Sequence, residues 1–286
     1  MSRPMGRGEI EAAFLSACRA ELRALKPGNV HIHSAGHGMT VDTFERAAAA
    51  AAPLICNPAL KVGARIFKAT KASFEATGIN TNLGIVLLCV PLAKAAAETD
   101  ITTGLRRRLA AILSELDEED ADNAFAAIRL ANPAGLGTVE KGDVTFSNPR
   151  MTLLEAMQLA QDRDRIARAY VTAFEDIFDV ALPALKDAES ASETPDLAVT
   201  QLHMTLLASF PDSHIARKWG SKIAAELQDE ARALGRYWQT GCGHKSFSAL
   251  AGFDRRLKER GLNPGTTADF VVATLFTARI SERKQS

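Results

Sequence analysis

The chain has 286 residues, 47% of them hydrophobic, with 34 basic and 34 acidic side chains. That is enough apolar material for a sizeable core, and zero net charge gives no general pull toward nucleic acid or an anionic membrane. No run of about 18 apolar residues occurs, so no membrane span is expected. The amino terminus lacks the apolar segment of a signal peptide, and four cysteines without close spacing fit a reducing cytoplasm.

Residues 9–25 repeat apolar side chains at 10, 14, 18, 22 and 25, which is helical spacing. Lys26-Pro27 ends that helix and opens a loop, Lys26-Pro-Gly-Asn-Val-His-Ile-His-Ser-Ala-Gly-His-Gly-Met39, that holds three of the six histidines. Thr40 is the expected N-cap of a helix running to residue 55. Asn57-Pro58 is expected to start the next one, with Asn at the cap and Pro in the first turn. Its inner face would be Leu60, Ala64, Phe67 and Phe74, and Lys61, Arg65, Lys68 and Lys71 would form a basic stripe opposite. Gly78 suits the position after that helix.

A second polar loop, Thr77-Gly-Ile-Asn-Thr-Asn-Leu-Gly84, launches a very apolar segment at 83–97. This reads as a buried helix bent at Pro91, where a hydrogen bond is lost. Cys56 and Cys89 read as core thiols. Residues 102–116 and 120–131 look like an antiparallel helical pair joined by an acidic turn that the helix dipole favours. Residues 132–150, with Gly135-Leu-Gly137 and Gly142-Asp143, form the longest irregular stretch.

One long amphipathic helix is expected over 152–180, with Leu154, Met157, Ala160, Ile166, Tyr170 and Phe174 inward. Helices near 197–210, 221–238 and 247–260 follow, with Pro211-Asp-Ser-His-Ile-Ala-Arg-Lys218 between the first two. Asn263-Pro-Gly-Thr-Thr267 introduces the last helix. No segment alternates as a strand does. The reading is a single all-α domain over 1–286, a multi-helix bundle around the 83–97 segment.

The chain has no phosphate-binding loop ending in Gly-Lys-Ser/Thr, no Gly-x-Gly-x-x-Gly, no His-Glu-x-x-His and no Gly-x-Ser-x-Gly. What remains is four polar loops at helix ends, rich in Asn, His, Asp and Arg. Helix N-termini offer free backbone donors and a positive dipole end, so a helical frame that gathers several of them is equipped to hold phosphates.

The order of these motifs resembles the triphosphoribosyl-dephospho-CoA synthase family. The likeness runs over residues 14–276, through Lys26-Pro-Gly-Asn-Val30, Gly78-Ile-Asn-Thr-Asn-Leu-Gly84, Pro211-Asp-Ser-His-Ile-Ala-Arg-Lys218 and Asn263-Pro-Gly-Thr-Thr-Ala-Asp269. It implies an all-helical transferase that moves the triphosphoribosyl group of ATP to a ribose hydroxyl of dephospho-CoA and releases adenine. This chain has Asn82-Leu83 where founding members commonly have His-Lys, and Gly38 where they have an acid. It looks closer to a subgroup from archaea and one-carbon-metabolising bacteria. A pterin-type acceptor, as in tetrahydromethanopterin biosynthesis, therefore stays open, as does a nucleotide-binding helical protein without the chemistry.

For a ribosyl transfer, an attacking hydroxyl needs a base and a leaving purine needs a proton. His31, His33 and His37 suit either role. Asp212 is a second candidate base, or the ligand of the Mg2+ that accompanies ATP. Lys26, Arg217 and Lys218 are candidates for phosphate oxygens. Asn29, Asn80, Thr81, Asn82, His214 and Asn263 are candidate hydrogen-bonding groups for the nucleotide. The expected partners are small molecules, and a homodimer is left open.

Overall fold

The computed structural model describes residues 4–98, 103–132 and 150–281. Among them are fourteen α-helices, one π-helical segment at Asp176–Ala181, a short 3-10 turn at Gly235–Tyr237, and no strand. The all-α expectation holds. The described residues belong to two compact units, one built from Met1–Ser16, Glu45–Glu175 and Phe276–Ser286, the other from Ala17–Phe44 and Asp176–Leu275. The expected features of residues 133–149, including both glycine pairs, lie outside the described residues.

α1 (Arg7–Arg23) and α2 (Val41–Ile55) match their expected spans. Thr40 caps α2 through its hydroxyl, which accepts the Thr43 N–H at 3.4 Å.

In the first unit, α3 (Val62–Thr77) starts later than Asn57-Pro58 suggests. Asn57 instead closes a separate turn, accepting the Ala59 N–H at 3.0 Å. The buried face of α3 is Val62, Gly63, Ile66, Ala69, Thr70 and Ser73, not the one expected. Two contacts set this rotation. Gly63 lies so close to α6 (Glu118–Ala131) that a Cβ there would come within 2.5 Å of the Asp120 Cα. Its N–H donates to the Asp120 carboxylate at 2.7 Å.

Arg65, expected on a solvated stripe, is only 2% exposed. Its guanidinium donates to the Leu60 carbonyl at 2.9 Å and to the Ile55 carbonyl, the last of α2, at 3.3 Å. The basic stripe is therefore interrupted at Arg65. α6 packs chiefly on α3 rather than on α5 (Leu105–Ser114), so the antiparallel pair is not the arrangement adopted. The acidic turn is a capping box, Asp117 accepting the Asp120 N–H at 3.0 Å.

α4 (Leu83–Ala97) has the expected bounds, and α3, α5, α6 and α8 pack against it. Pro91 has no N–H to give the Leu87 carbonyl four residues back. Tyr170, fully buried on α8 (Arg165–Val171), fills that vacancy, its hydroxyl donating to Leu87 O at 2.7 Å.

The long helix expected over 152–180 is divided. α7 (Leu153–Ala160) opens with a Thr152–Glu155 capping box, and Asp164 caps α8 by accepting the Ile166 and Ala167 N–H groups. Ala173 and Phe174 then take positive φ, which ends α8. Periodicity survives these breaks, so Met157, Ile166, Tyr170 and Phe174 are buried as expected, whereas Leu153 replaces Leu154 inside.

The second unit contains α9 (Leu182–Ala191), α10 (Pro195–Ser209), α11 (Ser213–Trp219), α12 (Ser221–Ala233), α13 (His244–Glu259) and the first turns of α14 (Gly265–Ser281). Its core joins Met204 and Leu207 of α10, Ile215 of α11, Leu227 of α12, and Phe253 and Leu257 of α13 with Trp238. All four cysteines are buried and lie outside any disulfide. Among the described residues no helix is long and apolar enough to cross a membrane.

Candidate functional site

The loop after α1 is shaped by two tight turns. His31 and Ser34 exchange backbone hydrogen bonds at 3.2 and 3.0 Å, and Gly36 and Met39 do so at 3.2 and 2.9 Å. In the second turn both central residues have positive φ, 56° at His37 and 74° at Gly38, the pattern of a mirror-image hairpin turn. Such a conformation is uncommon for a non-glycine residue and is held only where the surroundings fix it.

The surroundings here are a buried polar layer. Asp254 and Lys258 stand one turn apart on α13. Asp254 accepts the Gly28 N–H at 2.9 Å, while Lys258 donates to the Ser34 carbonyl at 3.1 Å and to Asp254 at 3.0 Å. One helix thus grips both ends of the segment that carries His31 and His33. Gly28 is required: its φ is 86°, and a Cβ would lie 2.7 Å from Pro264 Cδ.

The three loop histidines are sorted by this frame. His31 is 1% exposed, its Nε2 3.4 Å from both Asp254 and Lys258, and its Nδ1 has no partner. Burial lowers its pKa despite the hydrogen bond with Asp254. His33 is exposed and packs edge-on against Phe247 at 5.0 Å. His37 is half-buried, with Nε2 2.8 Å from the Gly28 carbonyl. A carbonyl only accepts, so Nε2 carries the proton, and in the neutral ring Nδ1 keeps its lone pair.

Lys26 is 0% exposed, its ammonium bound by Glu21 and by Asn29 Oδ1 at 2.9 Å. Burial lowers the Lys26 pKa and raises that of Glu21, each opposed by the other's charge. The expectation that Lys26 meets phosphate oxygens is corrected: the ammonium is enclosed and its partners are in place. Asn29 continues the chain of contacts, donating to Asn263 Oδ1 at 2.8 Å.

Asp212 is also assigned differently. Oδ1 caps α11 by accepting the Ile215 N–H at 3.0 Å, and Oδ2 accepts both the N–H and the hydroxyl of Thr267 at 2.8 Å. One carboxylate thus ties two helix starts together. With both oxygens so used at 3% exposure, it fits neither a general base nor a magnesium ligand. Among the described residues no group of three or more His, Cys, Asp or Glu side chains could hold a metal ion.

His214 is half-buried beside Gly265, its N–H bonded to Thr266 Oγ1 at 3.2 Å, and burial lowers its pKa. Arg217 lies on the same short helix, and Lys218 projects outward with its ammonium 5.4 Å from the centre of the Trp219 ring. Asn80, Thr81 and Asn82 belong to the first unit and form a cluster of their own. Asn80 Oδ1 accepts the Leu83 N–H at 3.4 Å, whereas Thr81 Oγ1 and Asn82 Nδ2 have no partner.

Sequence reasoning missed Glu21, His203, Asp254 and Lys258. Glu21 and His203 sit in helices otherwise read for their apolar face. His203 is fully buried under Pro27, its Nε2 3.4 Å from that carbonyl, and burial pushes its pKa down to about 3. Asp254 and Lys258 did carry a signal, an acid and a base spaced i, i+4, but that spacing is also the common surface pair.

A family model described as ATP:dephospho-CoA triphosphoribosyl transferase (CitG) matches residues 7–286. A 2-(5''-triphosphoribosyl)-3'-dephosphocoenzyme-A synthase from Pectobacterium atrosepticum is 31% identical over 103 residues, 36% of this chain and 32% of that protein. A protein of the same name from Escherichia fergusonii is 28% identical over 106 residues, 37% of this chain and 34% of its own. The matches thus span about a third of these relatives' length. A crystal structure from Archaeoglobus fulgidus, of a protein assigned as a triphosphoribosyl-dephospho-CoA synthase, superposes with a TM-score of 0.63 at 25% identity. That match covers 82% of this chain and 97% of that one.

Proposed function

From membership in the ATP:dephospho-CoA triphosphoribosyl transferase family, to which this chain belongs, we propose that it transfers the triphosphoribosyl group of ATP to a ribose hydroxyl of dephospho-CoA. The supporting observation is the state of His37, whose Nε2 is spent on the Gly28 carbonyl. Its Nδ1 is then a proton acceptor on a half-buried ring, with the other nitrogen oriented by a third group, as a general base requires.

In this reading the acceptor hydroxyl gives its proton to His37 Nδ1 as its oxygen bonds to the ribose C1 carbon. The bond from C1 to adenine N9 breaks, and its electron pair leaves with the base. The proton then passes to adenine, so one hydroxyl and one ATP become one glycoside and free adenine. ATP enters as its magnesium complex, and no protein ligand for that ion is assigned. His31 is enclosed, and its role is to hold the loop with Asp254 and Lys258. Arg217, Lys218 and His214 remain the candidates for substrate phosphates in the second unit.

The acceptor carries a second reading. By the resemblance, Asn82-Leu83 stands where founding members commonly have His-Lys, which supports a subgroup whose acceptor is the sugar-alcohol hydroxyl of a pterin-type carrier precursor. The test is chromatographic detection of adenine from ATP with each acceptor. Adenine equimolar with conjugate is expected, and His37→Gln should lower kcat about 10²- to 10⁴-fold. ATP binding without adenine release over both acceptors would leave only the nucleotide-binding reading.

A further inference from the structure

We propose that the N-terminus of α4, in the first unit, is a binding site for a phosphate group, built from the Gly84 and Ile85 backbone N–H groups and the Asn82 side-chain amide. The inference stands on the loop's own geometry and does not depend on the transfer reaction.

The first turn of a helix has N–H groups with no carbonyl to meet, and they are normally met by a capping side chain, water or a ligand. At α4 the Leu83 N–H reaches Asn80 Oδ1 at 3.4 Å, and the ladder begins with Val86 N–H on the Asn82 carbonyl at 2.9 Å. Between them, the Gly84 and Ile85 N–H groups have no partner among the described residues. The cap residue Asn82 makes no side-chain cap hydrogen bond.

A second observation concerns that same side chain. Asn82 is 4% exposed, and its Nδ2 has no hydrogen-bond partner. Asn82 thus holds the cap position without giving an acceptor to the N–H groups beside it, and its own amide donor is left over. Buried donors without acceptors are uncommon because each costs the desolvation of a polar group. Asn82 Nδ2 is such a donor, and a ligand rich in acceptor oxygens can meet it together with first-turn N–H groups.

The electrostatics agree with an anion. α4 is 15 residues long and has no acidic residue in its first turn, so its dipole places uncompensated positive potential there. Gly84, second in the helix, has no side chain to stand between backbone and ligand. The hydroxyl of the preceding residue, Thr81, is likewise buried without a partner. A phosphate offers three oxygens that accept from several donors at once, whereas a carboxylate or a single water offers fewer.

The test uses the full chain and titration calorimetry with sodium tripolyphosphate, inorganic phosphate and ATP as separate probes. Wild type should bind tripolyphosphate saturably. Asn82→Asp is the informative variant: aspartate caps a helix at least as well as asparagine and suits the dipole, so the melting temperature should hold or rise. The new charge meets the ligand's own, and tripolyphosphate binding should weaken at least tenfold. Asn82→Ser, a good cap without the amide donor, should give a smaller loss and guards against a folding defect in the aspartate variant. Parallel weakening for ATP assigns the site to nucleotide phosphates, and weakening for inorganic phosphate alone assigns it to the free ion; either supports the proposal. No saturable binding by wild type, or binding by Asn82→Asp equal to wild type, overturns it. Adenine release is scored separately, so a chain that binds tripolyphosphate but transfers nothing refutes the reaction and leaves the site standing.

Discussion

The loop after α1 and the loop before α4 both contain Asn and Gly and both sit at a helix end, yet most of their polar atoms are treated in opposite ways. In the first, the Gly28 N–H, the Gly28 and Ser34 carbonyls, and the Lys26 and Asn29 side chains all have protein partners, and His31 Nδ1 is the exception. In the second, Asn82 Nδ2, Thr81 Oγ1 and two backbone N–H groups have none. A loop whose groups are satisfied from within is held in shape before any ligand arrives. A loop with spare donors is completed by what binds to it. Loops of similar composition therefore divide between positioning a reactive group and receiving a charged one.

The comparison is broken most severely at Lys26. Lys26→Met leaves the Glu21 carboxylate buried without its counter-ion, which should cost about 3–5 kcal/mol of unfolding free energy in a urea titration. Replacing both partners, Glu21→Leu with Lys26→Met, should restore most of it. A single variant as stable as wild type would show that this layer does not hold the loop.

Acid should loosen the same loop from below. Burial pushes the His203 pKa down to about 3, so the folded chain refuses a proton that the unfolded chain takes up near pH 6.5. The contribution is fully present above that pH and is lost as pH falls from about 6.5 toward 3, at about 1.4 kcal/mol per unit, or about 2 kcal/mol by pH 5. His203→Leu should flatten the acid limb of a stability–pH curve by that amount. An unchanged limb would mean that other groups carry it.

Asp212 separates capping from chemistry. Asp212→Asn retains one acceptor oxygen, so stability should drop by about 1–2 kcal/mol while the pH–rate profile keeps its shape. Loss of turnover at unchanged stability would return Asp212 to the role of base.

The smallest effect lies inside α4, where a side chain supplies the donor that Pro91 lacks. Tyr170→Phe should cost about 1 kcal/mol, read by thermal unfolding, since the Leu87 carbonyl is left unpaired. No cost would mean that the carbonyl finds another partner.

Much of the fold was legible because helices announce themselves by period. The bounds of α4, the cap at Thr40 and the left-handed residue at Gly78 follow from local chemistry alone. The rotation of α3 was not legible, since it depends on Gly63 admitting Asp120, a residue 57 positions away. Nor was the division of 152–180, because Asp164 reads as a polar-face residue until its carboxylate is seen on the next N–H groups. For the candidate site, the partners of the loops' charged residues were not legible. Lys26 and Asp212 look available for chemistry in a string of letters, and only three-dimensional packing shows Glu21 and Thr267 already holding them.

Residue-resolved amide exchange tests the contrast between the two loops most directly. The Gly28 amide, donated to Asp254, should be protected with or without ligand. The Gly84 amide should exchange at loop-like rates in the free protein and slow at least tenfold when tripolyphosphate is saturating, a change of about 1.4 kcal/mol in opening free energy. A Gly84 amide already protected in the free protein, or unmoved by tripolyphosphate, would contradict the account.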